Sequence, residues 1–487
     1  MNAAPTQNRL TDLPRNVARN VARKVARKAS KQVDISSLAA FRVLFGLMMC
    51  VGSLRFMYHG WVDQFFVKPD FFFHYWGFEW VQVLPPTWMH GAFVAMAALS
   101  FLVAIGLFYR PAIIAFFLIF TYVELVDVAN YLNHYYLVSL VAFLLCFLPA
   151  NAAWSADARL RPHIRRARTA AYHLWLLRFQ VGAVYVFAAI AKIGADWLVH
   201  AQPLNIWLSS RVDAPIVGPY MDLWWLALAM GWAGFLNDLL APFLLSWKKT
   251  RPYAYAMLIV FHVSVGYLFR IGMFPVIMLV CATIFFAPGW PKRLVPERFW
   301  PTGNAGPSAS GKSPDQRPSP WRKLALALAV GYCLVQLVLP LRALAYPGNV
   351  LWHEQGMRWS WKVLVREKNG SVTYRVQVPG RDKAYYVSPS RYLTSHQERE
   401  MSSQPDLILQ LAHHIGEEYR QKGHDDVEVR VDAVASLNGR APKAMIDPDV
   451  DLMKIDDGVA RAEWILPGPT GAPPRLERLS ARYADSH

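Results

Sequence analysis

Cysteine is scarce in this chain: four in 487 residues, Cys50, Cys146, Cys281 and Cys333, each inside an apolar run. Without a close-set pair they offer neither a disulfide framework nor a thiolate metal site, and buried thiols are the reading that remains. Also absent are a His/Cys/Glu cluster at metal-ligand spacing, a glycine-rich phosphate loop and a nucleophile elbow. These gaps remove the sequence grounds for a metalloenzyme, a phosphoryl-transfer enzyme or a serine hydrolase. Charge is thin as well, at 17% of residues, and long stretches between Val33 and Tyr346 carry none. A soluble fold tolerates few such stretches, whereas a chain that is 54% hydrophobic and 14% aromatic suits a lipid environment.

Acidic residues are the minority sign, 34 against 51 Lys and Arg, for a net charge of +17. In a soluble protein that surplus would suggest nucleic acid. Here the basic residues gather in loops between apolar runs, so they bear on membrane orientation, and no nucleic-acid partner is expected.

At ~20 residues per crossing, about nine spans are predicted, near 37–57, 88–109, 111–129, 133–150, 173–193, 221–246, 253–271, 273–287 and 323–345. The first run has no small-residue cleavage site and reads as a retained helix. Arg42, Arg178, Gln180, Asp238 and His262 interrupt these spans and are expected to face the bundle interior. With the N-terminus in the cytoplasm, Arg110, the cluster Arg159 to Arg168, Lys248 to Arg251 and Lys292 to Arg298 all fall on the inner side. Lys68, Arg211 and Arg270 fall on the outer side, the asymmetry of the positive-inside rule. Nine spans then put the C-terminus outside the cytoplasm.

The predicted architecture is an α-helical polytopic membrane bundle with a C-terminal α+β extracytoplasmic domain. Residues 1–35 form a basic arm with a four-residue Arg-x-Val-Ala repeat, read as an amphipathic helix on anionic headgroups or a basic tail. Residues 36–346 form the membrane domain, with a Pro/Gly/Ser-rich flexible linker over 301–320. Residues 347–487 form the outer domain, with a loose end after Pro467. There the alternating runs 359–366 and 371–378 predict two strands joined at Asn369-Gly370 as a hairpin. A helix is predicted over 405–421 and a further strand over 427–437.

The candidate site is built around Lys192, which closes the apolar helix VYVFAAIAKIGADWL. An amine held near hydrocarbon loses hydration, which favours its neutral, basic form; alone, it reads equally as a lysine snorkelling to the membrane rim. Its neighbours weigh against the rim. Asn133 and His134 start the fourth span, Asp196 and Trp197 follow Lys192, and His262 and Arg270 sit at the exit of the seventh, all at one outer-leaflet level. Asp238 and His262 also read as interhelical hydrogen-bonding groups. A base beside an apolar cavity suits a lipid-soluble, weakly acidic substrate such as a quinol.

At these residues the chain resembles the vitamin K-dependent γ-glutamyl carboxylase family, whose membrane part is the HTTM domain. The resemblance runs through SLAAFRVLFG (37–46), NHYYLVSLVAFLLCFLPANAAWSAD (133–157), VYVFAAIAKIGADW (184–197) and FHVSVGYLFRIGMFPVIML (261–279), then GMRWSWKVLV (356–365) and IDPDVDLM (446–453). It implies a membrane enzyme that couples oxygenation of a reduced naphthoquinone, vitamin K or a menaquinol-type hydroquinone, to carboxylation of protein glutamate, with O2 and CO2 as co-substrates. It also implies that Lys192 is the base acting on the hydroquinone and that His134 bonds the quinone oxygen or relays a proton. Where the animal enzymes show K-K-L-D-A-D-W, this chain has Ala191-Lys192-Ile193-Gly194-Ala195-Asp196-Trp197, and its outer domain has no cysteine. The compact loops and basic arm suggest a bacterial inner membrane, with the outer domain periplasmic. Two other readings stay open: a quinol-oxidising enzyme without carboxylation, and a non-enzymatic transporter or assembly protein.

Overall fold

Residues 20, 24–269, 271–299 and 320–475 are described by a computed structural model of the chain. Most of the basic arm, the 301–319 stretch of the linker, Arg270 and the last twelve residues lie outside the described residues.

The apolar runs fold as nine helices: α1 Ser36–Tyr58, α2 Pro86–Ile105, α3 Tyr109–Val126, α4 Asn133–Phe147, α5 Ala171–Ala191, α6 Trp224–Ser246, α7 Arg251–Leu268, α8 Phe274–Ala282 and α9 Pro320–Val338. Among the described residues six are long and apolar enough to cross a membrane: α1, α2, α3, α5, α6 and a stretch of α9 continued to Ala345. The other three differ from that pattern for visible reasons. The apolar stretches of α4 and α8 are shorter, and α7 carries Arg251, Ser264 and His262 in eighteen residues.

Polarity inside the bundle follows the cost of exposing it to lipid. Arg42, Gln180, Asp238 and His262 are all buried. Each is engaged: Arg42 donates to the Trp154 carbonyl at 2.5 Å, and Tyr332 donates to Gln180 at 2.5 Å. Arg178 caps the carbonyls of Ile284 and Phe286, both at 2.9 Å. The converse holds outside, where α9 exposes Leu326, Leu328, Leu334 and Val338. Such a ridge is stable only against acyl chains or another apolar surface.

A short ladder, β1 (Gln32–Asp34) with β2 (Arg168–Ala170), ties the start of α1 to the start of α5. Beyond α9 comes an antiparallel sheet of order β4-β3-β5-β6, from β3 Lys368–Gln377, β4 Tyr385–Val387, β5 Glu428–Leu437 and β6 Lys443–Ala444. Val372, Tyr374 and Val376 alternate with Val429, Val431 and Ala433 on one buried face. Helices α10 (Ser395–Met401) and α11 (Pro405–Gln421) cover it, with Leu407, Ile408, Leu411 and Ile415 pointing inward and Tyr374 bonding the Ile408 carbonyl at 2.9 Å.

Two sequence expectations fail here. The 359–366 run is not a strand, because Trp359, Trp361 and Leu364 take positive φ and Trp361 packs into the bundle against Tyr136, which breaks the extended alternation. Asn369-Gly370 is not a turn but lies within β3, paired with Ser436 and Ala435. A Cβ at residue 370 would collide with the Ser402 carbonyl, so the glycine serves close approach of the loop after α10. The helix over 405–421 and the strand near 427–437 form as expected.

The sheet region sits on the bundle end where α3 stops and α4 starts. Gln397 donates to Asp127 at 2.9 Å, His396 meets Asn130 at 3.1 Å, and the Trp359 amide donates to the Tyr131 hydroxyl at 2.8 Å.

Candidate active site

Lys192 caps the end of α5, one turn beyond Ala188. Its ammonium donates to Asp238 Oδ2 of α6 at 2.8 Å and to the Ala188 carbonyl at 3.2 Å. Both side chains are below a tenth exposed, so this is a buried ion pair and not a lysine reaching for the rim. The Trp197 ring lies 5.3 Å from Nζ, and its indole donates to the Gly231 carbonyl at 2.9 Å, so the turn after α5 is pinned to α6 above the amine. His262 of α7 completes this layer, with Nε2 3.2 Å from the Tyr185 hydroxyl.

These groups line a cavity of 190 Å³ whose other walls are apolar and aromatic, including Trp207, Phe269 and Phe274. The cavity thus offers apolar, largely aromatic walls and one polar edge, the Lys192–Asp238 pair with His262 beside it. Once Nζ has passed a proton to the Asp238 carboxylate it is a neutral amine and can accept one, which is the chemistry an acidic hydroxyl requires.

His134 is elsewhere. It opens α4 and lines a neighbouring chamber of 540 Å³, together with Asn133, Arg55, Glu124, His396 and Glu400. Phe274, Val363 and Leu364 line both cavities, so they form the shared wall. The Phe274 ring stands 5.7 Å from His134 on one side and 5.7 Å from His262 on the other, edge-on to both. Val363 and Leu364 come from the run expected to be a strand. Instead it enters the bundle as a loop, with Trp359, Trp361 and Leu364 in the left-handed region at φ 58°, 58° and 51°. Non-glycine residues hold that region only when their surroundings fix them. Trp361 is fully buried and stacks on Tyr136 of α4 at 4.9 Å.

Of the residues singled out in the sequence, the structure gathers Lys192, Trp197 and His262 around one cavity. Asn133 and His134 belong to the next, where Asn133 also donates to the Lys362 carbonyl at 3.3 Å. Asp196 faces away from both and binds Arg440 and Asn438 of the sheet region. Arg270 lies outside the described residues. Asp238, read in the sequence as an interhelical group, is the partner of Lys192; its signal was an unexplained carboxylate inside an apolar span. Glu124, Trp207 and Phe274 went unnoticed, since a glutamate in the last turn of a span and two aromatics carry no spacing signature. No group of three or more His, Cys, Asp or Glu that could hold a metal occurs among the described residues.

Two family descriptions match the chain. The HTTM domain covers residues 30–290, more than half of its length, and the lumenal domain of vitamin K-dependent gamma-carboxylase covers residues 321–470. No solved structure matches. The order of the two matches, membrane part then lumenal part, is the order in which the bundle and the sheet region follow one another here. The chain is therefore a membrane protein that belongs to the HTTM, vitamin K-dependent gamma-carboxylase family.

Proposed function

We propose that the chain is a naphthoquinol-dependent glutamyl carboxylase acting on a glutamate-containing peptide or protein. The observation that carries this reading is the Lys192–Asp238 pair, buried at 2.8 Å on the wall of an aromatic-lined cavity that abuts a second, larger chamber. One reactant occupies each space. A reduced naphthoquinone, when bound, supplies the reducing power with which O2 generates a strong base for the glutamyl γ-carbon, and CO2 is then taken up there. The chain's own residues do the rest. Lys192 Nζ, made neutral by passing its proton to Asp238, takes the hydroxyl proton and becomes the ammonium again, oriented throughout by Asp238. Trp197 and Phe269 exclude water. His134, across Phe274, relays a proton on the acceptor side.

In this reading all nine helices cross or enter the bilayer, with the sheet region on the extracytoplasmic side of what the loop charges suggest is a bacterial inner membrane. A cytoplasm-only reporter fused after His487 stays silent if that is right and active if it is wrong.

The test of function is incubation of the purified protein with vitamin K hydroquinone, O2, labelled bicarbonate and a glutamate-containing peptide. Label in the peptide supports carboxylation. Epoxide without label reduces the function to quinol oxidation, and neither product removes the enzymatic reading.

A further inference from the structure

At the bundle end away from the sheet region, where α3 begins and α4 stops, lies a hollow of 380 Å³. Arg110 in the first turn of α3 lines it, with Arg161, Arg166 and Asp157 from the segment that follows α4. Three guanidinium groups thus face a single carboxylate. That carboxylate is already saturated: it accepts from the amides of Phe108 and Tyr109, each at 3.0 Å, from Asn151 at 2.9 Å and from Arg161 at 2.6 Å. Arg110 donates to the last carbonyls of α4, at Cys146 and Phe147, which places it without neutralising it. Behind the hollow, Arg42 is fully buried against Gly106, and its Nε and Nη1 have no hydrogen-bond partner. The local field is strongly positive, with Asp157 as the single carboxylate among the residues that line the hollow.

The rim has the opposite character. Phe108, Phe147 and Leu160 are each more than 60% exposed, next to the guanidinium groups. A positive hollow beside exposed apolar side chains at a helix-bundle end matches an amphiphile, with a phosphate in the hollow and acyl chains along the rim. A zwitterionic headgroup would bring its own cation into a site with surplus positive charge. We propose that this hollow is a binding site for the phosphodiester of an anionic phospholipid. It does not depend on the carboxylase reading, since no residue of it touches the Lys192 or His134 cavities.

The full chain, purified in phosphatidylcholine nanodiscs, is titrated with phosphatidylglycerol, and bound lipid is counted by native mass spectrometry. Wild type retains phosphatidylglycerol over phosphatidylcholine. Arg166→Gln and Arg110→Gln each weaken that retention about fivefold, the value of one basic residue at a charged membrane surface, while Arg166→Lys preserves most of it. Equal retention of the two lipids by wild type, or unchanged retention in both glutamine variants, overturns the proposal. Displacement of phosphatidylglycerol by an equal concentration of inorganic phosphate also overturns it, because the site would then be one for a soluble anion.

Discussion

Asp196 and Arg440 meet as a two-pronged pair, Nη2 to Oδ1 at 2.5 Å and Nη1 to Oδ2 at 2.8 Å, across 244 residues of chain. Asn438 adds a third bond to the same carboxylate at 2.7 Å. The stretch that carries Lys192 is thereby clamped to the turn after β5. Three residues lie between Lys192 and Asp196, so docking of the sheet region and placement of Lys192 are mechanically linked.

Arg440→Gln is expected to lower stability by about 1–3 kcal/mol, the range for losing charged hydrogen bonds. Burial by itself would raise the Asp196 carboxyl, but Arg440 and Asn438 hold it below its ordinary value. A depressed carboxylate stabilises the fold above its unfolded value and loses that contribution as the medium becomes acidic. The gap in thermal midpoint between wild type and the variant should therefore shrink below about pH 4. Identical midpoints and protease sensitivity at neutral pH would show that the pair does not hold the domains together.

Lys192→Ala should abolish quinol oxidation while leaving quinone binding nearly intact, since it deletes a proton acceptor and little contact area. A small primary amine added to this variant should restore part of the turnover, whereas His134→Ala should be slowed without such rescue. Asp238→Asn strands the amine and is expected to cost about 3–5 kcal/mol; the apolar pair Lys192→Met with Asp238→Leu should regain stability without activity. Wild-type rates in the alanine variant would end the catalytic assignment.

Phe274→Ala opens the aromatic part of the wall shared by the two chambers, leaving Val363 and Leu364. If they hold different reactants, the quinol oxidised per carboxylated glutamate should rise at least about fivefold, because the reacting centres lose their relative placement. Product ratios equal to wild type would argue that one reactant spans both spaces.

Asp127 gives a pH signature at the domain junction. Burial pushes its carboxyl up to about 6, against the bonds from Ala129, Gln397 and Phe73 that favour its charged form. A raised carboxyl binds its proton more tightly in the folded state, so its contribution is fully present below about pH 4 and is lost as the pH rises through about 6. The midpoint difference between wild type and Asp127→Asn should move in favour of Asn by several degrees between pH 5 and pH 7.5. A difference that stays flat across that interval would place the titration elsewhere.

Local chemistry was enough to read much of this molecule. Nine apolar runs became helices within a few residues of their expected positions, and Pro405–Gln421 formed as written, because helix periodicity and capping act over a few residues. Lys192 was legible for the same reason: an amine at the end of an apolar helix is a local contradiction that calls for a partner. Which partner was not legible. Asp238, forty-six residues away, reaches Lys192 only because α5 and α6 pack side by side. The alternation of WSWKVLVR satisfies a strand and a loop equally, and it took the packing of Trp361 against Tyr136 to exclude the strand. Asn369-Gly370 carries the signal of a turn, yet the close approach of Ser402 demands the same glycine within a strand. The separation of His134 from Lys192 by Phe274 is of the same kind. Sequence pattern specifies each segment's own conformation, whereas side-by-side packing of distant segments decides which polar groups share a cavity and which are walled apart.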